Sequence, residues 1–346
     1  MHRGVKNLLI IGPSQGNYGG IEAFMIAIAE AGLEWPGFNI KLCFKLVKGA
    51  KAGNNLKLSA RKNGLKVCYI KRGSLELAKL VIWADVLHVQ NTPPDIIFLG
   101  RLFRKKMFLT IHNKRVRAFN LHSILWNISM KLAYQRWYNS EFVWQTWEPR
   151  KKLANSECVP TVCKFPENWC PPSHRKGFLF VGRWIENKGI EELLEAYAIN
   201  KFDPGEQPLT ILGDGPLKKK IFEIIKKLDL KVSTPGFVDD NSKADYISSA
   251  RWIVAPANTS EDLGLTPIEG RSVGVPSIVS RDGGLPEAGG VAALIVEPGN
   301  IADLARSMKI AAQMDMTEYV RRTEVAYNSL TTFLKPISFY RDAFNK

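Results

Sequence analysis

The amino-acid sequence predicts an α/β protein made of two Rossmann-like domains, and three observations carry that prediction. Apolar runs of strand length alternate with stretches of helical periodicity almost from end to end. The alternation stops once, at "ENWCPPSHRKG" (167–177), where Pro, Ser and charge take over as in a linker, and then restarts. The 346 residues, 45% of them apolar, are enough to fill two cores.

The elements follow in order. "NLLIIG" reads as the first strand, "PSQGNYGG" as a glycine loop and "IEAFMIAIAEAG" as a helix, together a βα unit. The basic start and short apolar run are reminiscent of a signal peptide, but a five-residue run ending in Gly-Pro suits a strand better. Further strands are expected at "NIKLCFKLV", "KVCYI", "VLHVQ" and "MFLTIH". After the linker come strand "GFLFVG", loop "RWIENKG", helix "IEELLEAYAI", strand "LTILG", loop "DGP" and helix "LKKKIFEIIKKLDL". Strand "VSTPGFV", helix "SKADYISSA" and strand "WIVAPA" lead to a turn at "IEGRSVG", strand "PSIVS", glycine loop "RDGGLPE", strand "AALIVE" and helix "NIADLARSMKIAAQ". The chain ends in "LTTFLKPISFYRDAFNK", an apolar-aromatic helix expected to kink at Pro336. The expected domains are residues 1–168 and 169–330, with 331–346 as a helix crossing back to the first.

Composition excludes some classes. No apolar run approaches a membrane span, and no period of a repeat architecture is visible. Five widely spread cysteines fit reduced cytosolic thiols, and Cys158, Cys163, Cys170 and His174 have the spacing of no common zinc site. The formal net charge is +15. Residues 1–170 hold 26 Lys and Arg against 10 Asp and Glu, whereas 171–346 hold 22 against 23. A positive potential confined to one half points to an anionic partner there: nucleic acid, a membrane surface or a phosphate-bearing substrate.

Chemistry concentrates in the loops after strands. In "GPSQGNYGG", Gly16, Gly19 and Gly20 let backbone amides approach an anion at a helix N-terminus, although the spacing is not that of a dinucleotide fingerprint. "GRWIENKG" offers Arg183 and Lys188, a fork and a point charge suited to a diphosphate. "SEDLGLTPIEG" sets Glu261 and Glu269 eight positions apart just after a strand. Thr266, Pro267 and Glu269 also read as a helix N-cap, first turn and capping box, a purely structural use of the second glutamate. "RLFRKK" (101–106), Lys114, Arg115 and Arg117 are basic. "SILWNISMKLAYQRWY" interleaves Trp126, Tyr134, Trp137 and Tyr138 with Lys131 and Arg136, which reads equally as a lipid-facing amphipathic stretch or as core.

Taken in register, "YGGIEAF", "GRWIENKG", "LGDGP", "GFV", "SEDLGLTPIEG" and "RDGGLPE" resemble glycosyltransferase family four, retaining enzymes of the GT-B fold that use nucleotide sugars. The resemblance is dense over 177–300 and thin over 1–170. It implies two Rossmann-like domains facing across a cleft, and a metal-independent hexosyltransferase with no cofactor beyond its UDP- or GDP-type sugar donor. Glu261 and Glu269 resemble the E-x7-E pair, with Glu269 on the donor ribose and Glu261 facing the sugar. By the same resemblance Arg183 and Lys188 hold the diphosphate, with the backbone of Gly264 and Leu265 beside it. Gly213, Asp214, Phe237 and Val238 line the nucleobase side, and Gly19 and Gly20 meet the donor from the first domain. His112 stands near the reacting sugar. Lys105, Lys106, Lys114, Arg115 and Arg117 are expected to meet the acceptor or membrane. The implied partners are a nucleotide sugar, a glycan or lipid-linked acceptor and an anionic membrane surface, not nucleic acid. The implied setting is cell-surface polysaccharide or glycolipid synthesis at the inner face of the membrane. Asp262, Gly270 and the "GRSVG" helix depart from the family pattern. The alternatives are a non-catalytic nucleotide-sugar or polyanion binding protein and a sugar epimerase on the same architecture.

Overall fold

Along β1 (Lys6–Ser14), Leu8 and Ile10 enter one apolar cluster while Leu9 and Ile11 enter another. Both faces of the strand are therefore covered, as a central parallel strand requires. In the computed structural model, which describes residues 4–47, 49–61, 64–116, 120–160 and 165–346, the chain divides into two units. One comprises Met1–Lys164 and Leu334–Lys346, the other Phe165–Phe333.

In the first unit β1 is followed by α1 (Gly20–Leu33), β2 (Phe38–Leu46), α2 (Asn54–Ser59), β3 (Lys66–Lys71), α3 (Leu75–Trp83) and β4 (Val86–Gln90). Then come α4 (Pro94–Leu102), β5 (Lys106–Ile111), α5 (Leu121–Lys131), β6 (Gln135–Tyr138), α6 (Glu141–Trp147) and β7 (Ser156–Cys158). The sheet is parallel throughout, in the order β3-β2-β1-β4-β5-β6-β7. The strand order reverses between β1 and β4, the kind of switch point at which open α/β sheets bind ligands.

The second unit repeats the plan with β8 (Lys176–Val181), α7 (Ile190–Asn200), β9 (Leu209–Leu212), α8 (Lys218–Lys227), β10 (Val232–Gly236), α9 (Asp240–Ser249) and β11 (Ala250–Ala255). It continues with α10 (Leu265–Ser272), β12 (Ser277–Ser280), α11 (Leu285–Gly289), β13 (Leu294–Val296), α12 (Ile301–Gln313) and α13 (Met316–Phe333). Its parallel sheet runs β10-β9-β8-β11-β12-β13, with the switch point between β8 and β11. Phe178 and Phe180 on β8 face one cluster and Leu179 the other. The α/β class with two Rossmann-like units is the one the sequence predicts.

Three elements differ from expectation. "IEGRSVG" is not a turn but most of α10, and Gly270 suits it because a Cβ there would lie 2.9 Å from Ile253 Cγ1 on β11. The stretch expected as one amphipathic element is two, α5 and then β6, and Arg136, Trp137 and Tyr138 on β6 are buried. Pro336 does not kink a helix. It lies in a break between α13, in the second unit, and α14 (Ser338–Asn345), in the first. Tyr340 and Phe344 of α14 enter the first core, and Lys6 Nζ donates to the carbonyls of Phe344 and Asn345 at its end (3.2 and 3.0 Å).

Candidate active site

The second unit gathers most of the expected site residues at the carboxyl ends of its strands. After β8 the chain passes through Gly182 and exposes Arg183. The next residue, Trp184, is buried and anchors the loop: its amide donates to Asp214 O (2.9 Å), its indole to Leu212 O (3.4 Å), and its carbonyl accepts from Leu217 N (3.0 Å). Backbones approach so closely here that a Cβ on Gly213, at φ +118°, would stand 1.8 Å from Gly182 O. Only glycine fits that position. Asp214 turns its carboxylate to Gly215 N (2.8 Å) and Lys218 Nζ (3.2 Å), and the Gly215 amide contributes most to holding it below the usual carboxylate range.

The loop after β11 is held from outside its own sequence. Asp282 accepts from the amides of Thr259 (3.1 Å), Ser260 (2.7 Å) and Glu261 (2.8 Å). That triple contact fixes Ser260 at φ +61°. The Glu261 carbonyl accepts from Gly284 N (2.8 Å), and Asn258 N donates to Asn187 O (3.0 Å), joining this loop to the Arg183 loop. Lys188 Nζ and the Glu261 carboxylate form an ion pair, each side chain about a quarter exposed. The two loops that flank the switch point thus meet through the two charges the sequence singles out.

Thr266 is not an N-cap. The cap of α10 is Gly264 (φ +94°), whose Cβ would lie 2.5 Å from Leu285 Cδ2, and the Thr266 hydroxyl points to Val181 O (3.4 Å). The helix begins two residues earlier than the capping box requires, so Glu269 is free of that role. It is 4% exposed and its carboxylate meets Lys243 Nζ of α9 at 2.9 Å. Arg271, also buried, donates to Ala288 O (3.1 Å) and Ser329 Oγ (3.0 Å), joining α10 to α11 and α13. Burial lowers its pKa to about 10, which leaves it charged at neutral pH. After β10, Phe237 is 67% exposed, whereas Val238 packs against the cluster of Leu179 and Leu212.

In the first unit Gly19 caps α1, and Glu22 of the first turn brings its own carboxylate to that terminus, accepting from Ser14 Oγ at 2.7 Å. Burial raises the Glu22 pKa and so favours its uncharged form. His112 follows β5, 4% exposed, with Nε2 2.9 Å from Gln90 Oε1, its amide donating to Asn91 Oδ1 (3.0 Å) and its carbonyl accepting from Asn139 Nδ2 (3.0 Å). Burial lowers its pKa to about 3, so the imidazole is neutral at physiological pH.

The basic residues do not form one cluster. Lys105 and Lys106 enter β5 and Lys114 and Arg115 follow it, so six strand residues, roughly 20 Å, separate the pairs. Lys105 Nζ donates to Ile82 O (2.9 Å), and Lys106 Nζ lies 4.2 Å from the Tyr134 ring centroid. Arg115 lies over Trp147, and Arg117 falls outside the described residues.

Residues 164–327 match the family described as glycosyl transferases group 1. The match covers most of the second unit and just under half of the chain. Similar proteins include an uncharacterised glycosyltransferase of Methanocaldococcus jannaschii, 31% identical over 36% of this chain and 35% of that protein. Another is the 2-deoxystreptamine N-acetyl-D-glucosaminyltransferase of Niallia circulans, 23% identical over 65% of each. The chain thus spans from about a third to just under two thirds of these curated relatives. Among solved structures, Anabaena HepE, determined in complex with UDP and glucose, is 15% identical with a TM-score of 0.76 over 98% of both chains. That likeness extends the fold to the whole chain.

The second unit also holds residues that sequence reasoning missed. Asp282, Lys243 and Trp184 touch expected site residues or their loops, yet each looks ordinary in sequence. Only "RDGGLPE", singled out for its glycines, contained a usable signal: Asp282 precedes Gly283, where a Cβ would lie 2.0 Å from Glu261 O.

Proposed function

We propose that the chain is a retaining, metal-independent hexosyltransferase that moves a sugar from a UDP- or GDP-type donor to a glycan or lipid-linked acceptor. The reading places it at the inner face of the membrane, in cell-surface polysaccharide or glycolipid synthesis. The observation that supports it most is the joining of the loops after β8 and β11 at one switch point by the Lys188–Glu261 pair, with Arg183 exposed beside it.

In this reading Arg183 and Lys188 bind the donor diphosphate and stabilise the negative charge that grows as the sugar leaves. The amides of Gly264 and Leu265 approach the same phosphates, and Gly19 and Gly20 meet the donor from the first unit. Glu269, held by Lys243, accepts from ribose hydroxyls. Phe237 offers an exposed ring to the base, with Val238, Gly213 and Asp214 on that side. Glu261 faces the transferred sugar and shares Lys188 with the diphosphate. The leaving phosphate assists deprotonation of the acceptor hydroxyl on the same face, and His112, uncharged, orients a hydroxyl by hydrogen bonding. Lys105, Lys106, Lys114, Arg115 and Arg117 face acceptor or membrane.

A thermal-shift panel of UDP, GDP, ADP and their sugar conjugates tests the donor, because a ligand that binds only the folded form raises Tm. Stabilisation selective for one base, weakened in Arg183→Ala and Glu269→Ala, is expected. Unchanged affinity in both variants removes the site assignment, and steep salt-dependent binding of nucleic acid without any nucleotide response favours a polyanion-binding protein. Release of free nucleotide without transfer to an acceptor, or an epimerised donor, removes the transferase reading.

A further inference from the structure

The helices α3, α4 and α5 lie on one face of the first sheet. Leu77 and Val81, Ile96 and Ile97, and Met130 enter the same apolar cluster as Leu87 and Val89 of β4 and Leu109 and Ile111 of β5. That cluster accounts for the inward side of each helix. The outward side is also apolar. On α3, Leu75 and Ile82 are 84% and 53% exposed; on α4, Phe98 and Leu102 are 38% and 71%; on α5, Leu121, Ile124 and Ile128 are 70%, 55% and 43%.

The spacings are helical: seven apart on α3, four on α4, three and four on α5. Each set therefore lies along one face of its helix. A soluble surface tolerates scattered apolar side chains, but aligned sets on three successive helices form a patch that implies a partner. The other face of the same sheet is different: α1 exposes no large hydrophobic side chain, α14 buries Tyr340 and Phe344, and α2 exposes the single Leu58.

Charge identifies the partner's chemistry. Lys79, Arg101, Arg104 and Lys131 are exposed on or directly beside these helices, against the exposed carboxylates Glu76 and Asp85. The other acid on these helices, Asp95, is paired with Lys45 at 2.6 Å. Apolar side chains rimmed by cations match an anionic bilayer, where alkyl groups enter the headgroup boundary and basic side chains meet phosphates. A protein partner of neutral surface has no use for the cations.

We propose that the outward face of α3, α4 and α5 docks the protein on an anionic lipid bilayer. Of the stretch "SILWNISMKLAYQRWY" that the sequence offered for this role, the α5 part supplies Ile124, Ile128 and Lys131 to this face, whereas Trp137 and Tyr138 of β6 are core. The proposal names the surface for the membrane association in the proposed function, but its test involves no sugar donor. Its failure therefore leaves the donor chemistry standing, and failure of the nucleotide panel leaves the docking face standing.

The experiment is sedimentation of the full chain with vesicles of phosphatidylcholine alone and of phosphatidylcholine with phosphatidylglycerol. Binding only to the anionic vesicles is expected, with a loss of roughly tenfold or more in the double variant Ile124→Glu/Ile128→Glu at unchanged Tm. Arg101→Ser/Arg104→Ser, which disturbs no packing, is expected to weaken binding about tenfold or more and to leave less salt dependence. Absence of binding to anionic vesicles overturns the proposal, as does binding indifferent to both variants. Self-association of the wild-type chain, abolished by Ile124→Glu/Ile128→Glu and accompanied by no vesicle binding, overturns it in favour of a second copy on this face.

Discussion

Mild acid should destabilise this protein through two histidines in one core. His88 on β4 and His112 after β5 are both buried, and burial, the largest cause for each, lowers both pKa values from 6.5 to about 3. In the unfolded chain both return to the ordinary value, so between those limits the unfolded state binds more protons and stability falls as pH falls. Above pH 6.5 both states are neutral and the contribution is fully present. At pH 5.5 the unfolded state gains about RT ln(1 + 10), or about 1.4 kcal/mol per histidine, hence about 3 kcal/mol for the two. Urea denaturation at pH 7.5 and 5.5 measures the loss. Glu22 has the opposite sign, since a carboxyl pushed up by burial favours the folded state as pH falls. The variant His88→Gln/His112→Gln therefore serves as reference: its pH dependence should be smaller than that of the wild type by that same 3 kcal/mol. Equal pH dependence in the two proteins refutes the argument.

The remaining predictions concern the second unit. Lys243→Ala leaves the buried Glu269 carboxylate without its cation and should cost about 3 kcal/mol or more, read by denaturation, with partial recovery in Lys243→Ala/Glu269→Gln. Gly283→Ala places a Cβ 2.0 Å from Glu261 O at φ +55°. It should lower kcat about tenfold or more with the donor chosen by thermal shift, because the Glu261 loop must move. Lys188→Met, which removes the ammonium at the diphosphate, should weaken nucleotide binding by about 2 kcal/mol in calorimetry, the range of a charged hydrogen bond, and equal affinity would detach Lys188 from the site.

What the sequence made legible follows the range of the physics involved. Strands such as "NLLIIG" and "GFLFVG" are local signals, continuous apolar runs ended by glycine, and they lie where expected. The short β6, by contrast, follows α5 after three residues, and its buried Arg136 imitates the polar face of a helix until Ser156 and Glu148 are seen beside it. The capping box at Thr266 failed for a related reason. Its spacing is correct, but Gly264 can adopt the positive φ that starts the helix earlier, a choice made by packing against Leu285. The staples of the site lie at sequence distances of about twenty residues or more, as Asp282 to Ser260 and Lys243 to Glu269 do. No local pattern encodes them.

The two units also divide the electrostatics, and that division bears on the proposed chemistry. In the first, the two buried histidines have uncharged partners among the described residues: His112 meets the Gln90 amide, its carbonyl meets Asn139, and His88 meets the hydroxyl of Thr110 at 2.8 Å. A buried imidazole held uncharged by desolvation can hydrogen-bond a hydroxyl but supplies no positive charge to a departing phosphate. In the second, the strand ends carry fixed charge, Lys188 on Glu261 and Lys243 on Glu269. If the leaving group is a nucleoside diphosphate, its stabilisation therefore falls to Arg183 and Lys188 rather than to His112. Removing His112 as His112→Gln, which preserves an amide in place of the imidazole, should then spare nucleotide affinity while lowering kcat. A variant that lost nucleotide binding instead would assign His112 to the donor and reverse the division of labour.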